Sequence, residues 1–120
     1  LFKKISKKTD LILNITNDAW FGNTIGPYQH LQFAKIRAVE FGIPVVRVAN
    51  TGISSYFDPY GNVISSLNLN NKGSITNNLV QRLETTFFRD YGNNILFYML
   101  LYSIFVNIFL FTNNKRKFYE

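Results

Sequence analysis

The sequence predicts an α/β domain followed by one transmembrane helix. Two observations predict it. Over the first ninety or so residues, short β-type runs alternate with a stretch of helical periodicity, and near the end Ile95 to Thr112 forms a long uncharged apolar run. The expected division is 1–92 for the domain, 93–113 for the membrane helix and 114–120 for a basic tail.

The first expected element is an apolar strand at Asp10 to Thr16 (DLILNIT). Asn17 to Gly26 (NDAWFGNTIG) is rich in Asn, Asp and Gly and reads as a loop, after which Pro27 suits the first turn of a helix. Leu31, Ala34, Ala38 and Phe41 recur at helical spacing, with Gly42 as the stop and Pro44 just beyond it. Val45 to Ala49 (VVRVA) and Ile53 to Asp58 (ISSYFD) are β-type runs. The turn Pro59-Tyr60-Gly61-Asn62 leads into a third, Val63 to Leu67. Asn68 to Gly73 is a polar loop, Ser74 to Val80 is expected to be one more strand, and no internal repeat occurs.

The terminal run reads ILFYMLLYSIFVNIFLFT, interrupted only by Ser103 and Asn107, and no charged residue occurs from Asn93 to Asn114. Eighteen helical residues span roughly 27 Å, close to the thickness of a thin hydrocarbon core. The alternative is a buried core helix, but a helix of a soluble protein normally shows a polar stripe, and none here is wide enough. Lys115, Arg116 and Lys117 follow the span, whereas the twenty residues before it hold only Arg82 and Arg89, so the C-terminus is expected in the cytoplasm. Asn107 is costly in lipid unless it faces another helix, and it is expected to mark a helix contact.

The protein has 120 residues, 47% hydrophobic and 17% charged, too apolar a balance for a disordered tail. It begins at Leu1, with Met99 its only methionine, so further residues are expected upstream. The net charge of +6 is concentrated at the ends, in Lys3, Lys4, Lys7 and Lys8 and in Lys115 to Lys117. No helix combines clustered Arg or Lys with polar residues able to reach base edges, which argues against nucleic-acid binding. A membrane surface suits the second cluster better. Cysteine is absent, which excludes disulfides, thiolate zinc sites and a cysteine nucleophile within this chain.

The run LILNITNDAWFG, then GPYQH, then AKIRAVEFGIPVVRVANTGISSYFDPYG resembles the C-terminal half of the nitrilase-like domain of apolipoprotein N-acyltransferases. The likeness covers Asp10 to Val63 and continues more weakly through LETTFFRDYGN (Leu83 to Asn93) into the span. NDAWFG and GPYQH at this spacing belong to the acyltransferase branch, whereas RAVEFGIPVVRVANTGIS alone indicates the wider carbon-nitrogen hydrolase superfamily. The resemblance implies the C-terminal part of an αββα sandwich facing the periplasm, with the last helix returning the chain to the cytoplasm across the bacterial inner membrane. The implied reaction moves an acyl chain from a phospholipid donor to the N-terminal diacylglyceryl-cysteine of an apolipoprotein acceptor, through a thioester on the enzyme's own cysteine. Its implied catalytic residues are a Glu base, a Lys oxyanion stabiliser and a Cys nucleophile. All three precede the strand at Asp10 in the family's order, in the upstream part of the same enzyme. The fragment alone is therefore expected to lack catalytic residues, and neither metal nor cofactor is called for.

Asn17, Asp18, Trp20, Phe21 and Gly22 follow a strand's C-terminal end, the usual position of pocket-forming loops in α/β folds. They are candidate substrate-binding residues, as is His30 as a pocket wall. The alternative has Trp20 and Phe21 capping the sheet edge, Asn17 and Asp18 forming an Asx turn, and His30 anchoring the loop. A hydrolytic triad of His30, Asp18 and Ser54 or Ser55 is disfavoured, because neither serine lies in a nucleophile-elbow pattern. Arg37 and Glu40 can pair across the helix surface, or, as the superfamily resemblance implies, Glu40 can lie against the domain core. Asn50, Thr51 and Gly52 fit a turn in which Gly takes a positive φ, or a cleft lining. A soluble amidase of the same superfamily leaves the terminal span unexplained, and a non-enzymatic basic membrane anchor leaves NDAWFG and GPYQH without purpose.

Overall fold

The computed structural model describes residues 5–6, 8–92 and 94–116, with side chains through Thr112; Lys3, Lys4, Lys7 and Lys117 of the basic clusters lie outside them. The chain divides into two units, one ending at Arg89 and one beginning at Asp90.

In the first unit, β1 (Ile12–Asn17) pairs in parallel with β2 (Val45–Asn50), with α1 (Gly26–Phe41) as the crossover. β2 pairs antiparallel with β3 (Ser54–Phe57), and β3 with β4 (Val63–Leu67), so the sheet order is β1-β2-β3-β4. The expected run Ile53 to Asp58 narrows to β3, and at its far end a turn takes Asp58, whose N–H donates to Asn62 O while Gly61 N–H donates to Asp58 O, both at 3.0 Å. α1 ends as its sequence requires, with Gly42 left-handed at φ 62° and donating back to Ala38 O.

Alternation along the strands sorts side chains to two faces. Ala34 and Ala38 of α1 pack with Val45 and Phe57, flanked by Ile12 and Leu31, and make the apolar core between helix and sheet. On the opposite face Leu13 is 58% exposed, Ile15 76% and Val48 48%. Among the described residues, then, one helix layer covers one side of a single sheet.

Ser74 to Val80 is not a strand. Its polar groups are met by side chains instead of a ladder: Asn77 donates to Ser65 Oγ at 2.7 Å and Val80 N–H to Tyr56 Oη at 2.8 Å. The adjacent asparagines Asn77 and Asn78 break the apolar alternation that an edge strand needs. The strap then returns to the helix end, where Leu83 N–H donates to Gly42 O at 2.8 Å.

A short helix, α2 (Phe87–Tyr91), precedes α3 (Asn94–Arg116), which forms the second unit's long element. Its residues 94–112 have a mean hydropathy of 2.1, long and apolar enough to cross a membrane.

Candidate functional site

The loop Asn17–Gly26 leaves the C-terminal end of β1 and runs into α1. The backbone turns at once, because Asn17 Oδ1 accepts from Ala19 N–H at 3.1 Å and starts a single 3-10 turn over Ala19–Phe21. This Asx turn belongs to Asn17, whose Oδ1 also accepts from the Asn50 side chain at 3.2 Å. Gly22 follows at φ 54°, ψ −150°, a region that side-chain-bearing residues essentially do not enter, so the loop's reversal requires glycine there. Thr24 Oγ1 accepts from Gly26 N–H at 3.2 Å and satisfies one of the first free donors of α1.

Asp18 does something different from an Asx turn. Its side chain is fully buried, and so is that of Arg47, whose Nη2 donates to Asp18 Oδ2 at 2.6 Å. Asp18 Oδ1 meets His30 Nδ1 at 2.9 Å, with Thr16 Oγ1 at 3.4 Å. Arg47 fills its remaining directions with Ile53 O through Nε and Asn14 Oδ1 through Nη1, both at 3.3 Å. Asn14 and Arg47 stand opposite each other in the β1–β2 register, two residues beyond the Ile12–Val45 pair that touches the core. The helix-facing layer thus changes from apolar at the start of the strands to polar at their ends, below the first turns of α1.

Gly52 belongs to this cluster for reasons of space. A Cβ there would stand 2.3 Å from Asp18 Oδ2. The expectation that Gly52 supplies the positive φ is corrected: Thr51 takes it, at φ 58°. Asn70, itself at φ 62°, donates through its backbone N–H to Thr51 O at 3.0 Å and through its side chain to Asn23 Oδ1 at 2.8 Å. Three loops therefore meet at one end of the sheet.

The aromatics of the loop divide. Phe21 lies edge-on to His30, ring centroids 5.7 Å apart, and Gly26 leaves the room for it. Trp20 is 81% exposed, its indole N–H donating to Asn17 O at 2.8 Å. An indole so exposed does not cap the sheet. The disfavoured serine triad has no geometry either, since Ser54 Oγ accepts from Ala49 N–H and Ser55 Oγ donates to Ser65 O. Arg37 and Glu40 form their helix-surface pair at 2.5 Å, with both side chains partly exposed.

The carbon-nitrogen hydrolase profile matches residues 5–86, covering the sheet, α1 and the three-loop cluster. The chain belongs to the carbon-nitrogen hydrolase family. Within that family it is 49% identical over 98 residues to an apolipoprotein N-acyltransferase of Rickettsia prowazekii, covering 81% of this chain and 19% of that protein. An apolipoprotein N-acyltransferase of Agrobacterium fabrum is 44% identical over 100 residues, 83% of this chain and 18% of that protein. One of Rhizobium rhizogenes is 52% identical over 73 residues, 61% of this chain and 14% of that protein. The chain thus spans about a fifth or less of the length of these curated relatives.

Of the candidate residues Asn17, Asp18, Trp20, Phe21, Gly22 and His30, the structure brings all six to one loop and the helix turn beside it. Only Asp18 is buried. Sequence reasoning missed Arg47, and a signal for it existed: a charge in the middle of the apolar strand VVRVA, in phase with the buried Val45, demands a buried partner. Nothing in the sequence shows that the partner is Asp18, because the two are joined only by the parallel register.

Proposed function

We propose that this chain is the C-terminal part of a membrane-bound apolipoprotein N-acyltransferase. In the complete enzyme a cysteine thiolate contributed by upstream sequence attacks an acyl ester of a phospholipid, forming a thioester and releasing the lysophospholipid. The enzyme then passes that acyl chain to the α-amino group of a lipoprotein's diacylglyceryl-cysteine. The observation that carries this reading is the identity to apolipoprotein N-acyltransferases, 49% over 98 residues and 44% over 100 residues of this chain. Acyl transfer through a thioester needs a thiolate, a base and donors aimed at the oxyanion; this chain holds no cysteine, so it contributes the cleft's wall and not its nucleophile.

The loop Asn17–Gly26 borders the acyl cleft in this reading, with Trp20 and Phe21 offered to the lipid chain. The exposed apolar face of Leu13, Ile15 and Val48 is the inner face of an αββα sandwich, closed by a second sheet from upstream. α3 crosses the inner membrane, with the domain in the periplasm and the basic end in the cytoplasm.

The test uses the complete protein that carries this chain, purified with its membrane part, labelled phospholipid as donor and a diacylglyceryl-cysteine peptide as acceptor. A labelled acyl-enzyme that discharges onto the peptide's α-amino group is the expected result. Absence of both, in protein shown to be folded, would refute the assignment.

A further inference from the structure

Of the residues from Asn17 to Ile25, Asp18 alone is buried. An exposed segment cannot be held in place by burial of its own side chains, so the pose of this loop depends on its hydrogen bonds, and Asp18 makes the buried ones. Arg47 holds it, and does so with three donors in three directions: to Asp18 Oδ2, to Asn14 Oδ1 and to Ile53 O. A planar guanidinium can serve all three at once, whereas a lysine ammonium on a flexible stem cannot reproduce that fork. The same side chain therefore ties the loop after β1 to the β2–β3 turn, while the second oxygen of Asp18 ties it to His30 in α1.

A buried ion pair is a poor choice for stability alone, since two apolar side chains of similar volume fill such a space at lower cost in desolvation. Its directional bonds do what apolar packing cannot, which is to define one geometry. Gly52 shows how closely that geometry is drawn, for its Cα lies where no methyl group fits beside the carboxylate.

We propose that Arg47 is a positioning residue for acyl transfer: by holding Asp18, and through it His30, it sets where the loop presents Trp20 and Phe21 to the acyl chain. This rests on the reading of the loop as the border of the acyl cleft. Arg47 touches no substrate and acts only through the loop.

The experiment compares Arg47→Lys, Trp20→Ala and the double variant in the complete enzyme, each measured per folded molecule. Amide hydrogen exchange of the peptide covering residues 17–26 reads the loop directly. In Arg47→Lys that peptide is expected to exchange faster while residues 31–41 stay protected, and acyl loading is expected to fall roughly tenfold to a hundredfold. Because both residues act through one loop, the double variant should load little more slowly than the slower single variant. Unchanged exchange in residues 17–26, or additive effects in the double variant, overturns the positioning role. Trp20→Ala with normal loading refutes the cleft reading instead, and the exchange result still decides whether Arg47 positions the loop. If Arg47→Lys does not accumulate, Asp18→Asn, which removes the charge and keeps the shape, is read by the same criteria.

Discussion

Asp58 closes the β3–β4 turn with its own carboxylate. Oδ1 accepts from the N–H groups of Tyr60 at 2.9 Å and Asn62 at 2.8 Å, and Oδ2 from the Asn62 side chain at 2.8 Å. Slight burial pushes the carboxyl up, but the hydrogen bonds from the Asn62 side chain and from the Asn62, Tyr60 and Gly61 backbone outweigh it and hold it below its ordinary value. A carboxylate lowered in the folded state contributes stability above its unfolded value, and that contribution disappears as pH falls through the folded one. Asp58→Ala should therefore lower the melting temperature well above about pH 4 and matter progressively less below it. Melting curves of both proteins across that range test this, and a difference that persists undiminished in acid would refute it. Asp18 is a carboxylate of another kind: enclosed with Arg47, it is worth little as a net stabiliser, yet removal of either partner alone would cost about 3–5 kcal/mol.

At the scale of elements, α1 and α3 show two uses of apolar helices. α1 buries Pro27, Ala34, Ala38 and Phe41, and its two alanines pack against Val45 and Phe57 of the sheet. α3 buries nothing within the unit it forms: none of its apolar window from Asn94 to Thr112 is covered. Two of its polar side chains are turned back on the helix itself, Asn107 donating to Ser103 O at 2.8 Å and Thr112 to Ile108 O at 3.0 Å, which lowers their cost in an apolar medium. An uncovered helix of this hydropathy is expected to remain in membranes through carbonate extraction, and a reporter fused after Glu120 is expected to give a cytoplasmic signal. Release into the carbonate supernatant would refute the span, and a periplasmic signal in the complete protein would refute its direction.

For the molecule as a whole, the decisive absence is chemical. A chain with no thiol cannot carry a thioester, so the 120 residues in isolation are expected to form no acyl-enzyme and to transfer nothing from labelled phospholipid to a diacylated peptide. Turnover above a no-protein control would overturn this. On the sheet face opposite α1, Leu13, Ile15 and Val48 stand exposed, as the proposed second layer requires.

Local patterns were legible from residues alone wherever near neighbours decide the structure. The periodicity of Leu31, Ala34, Ala38 and Phe41 with Gly42 behind it defines α1. The Pro59 to Asn62 turn and the apolar run from Ile95 to Thr112 are equally local. Ser74 to Val80 departs from the expected strand because the Tyr56 hydroxyl meets its backbone at Asn78 and Val80, a partner that no pattern along the chain announces. The candidate loop was visible as composition, and the division of labour inside it was not. That Asp18 turns inward while Trp20 stands out in solvent depends on Arg47, distant in sequence and brought beside it by the parallel pairing of β1 with β2. Sequence by itself determined α1, α3, the four strands and the turn between β3 and β4, because those choices rest on propensity and periodicity over a few residues. Only the tertiary structure decided which charges are buried together, because that depends on strand register, and register is fixed by packing between residues far apart in the chain.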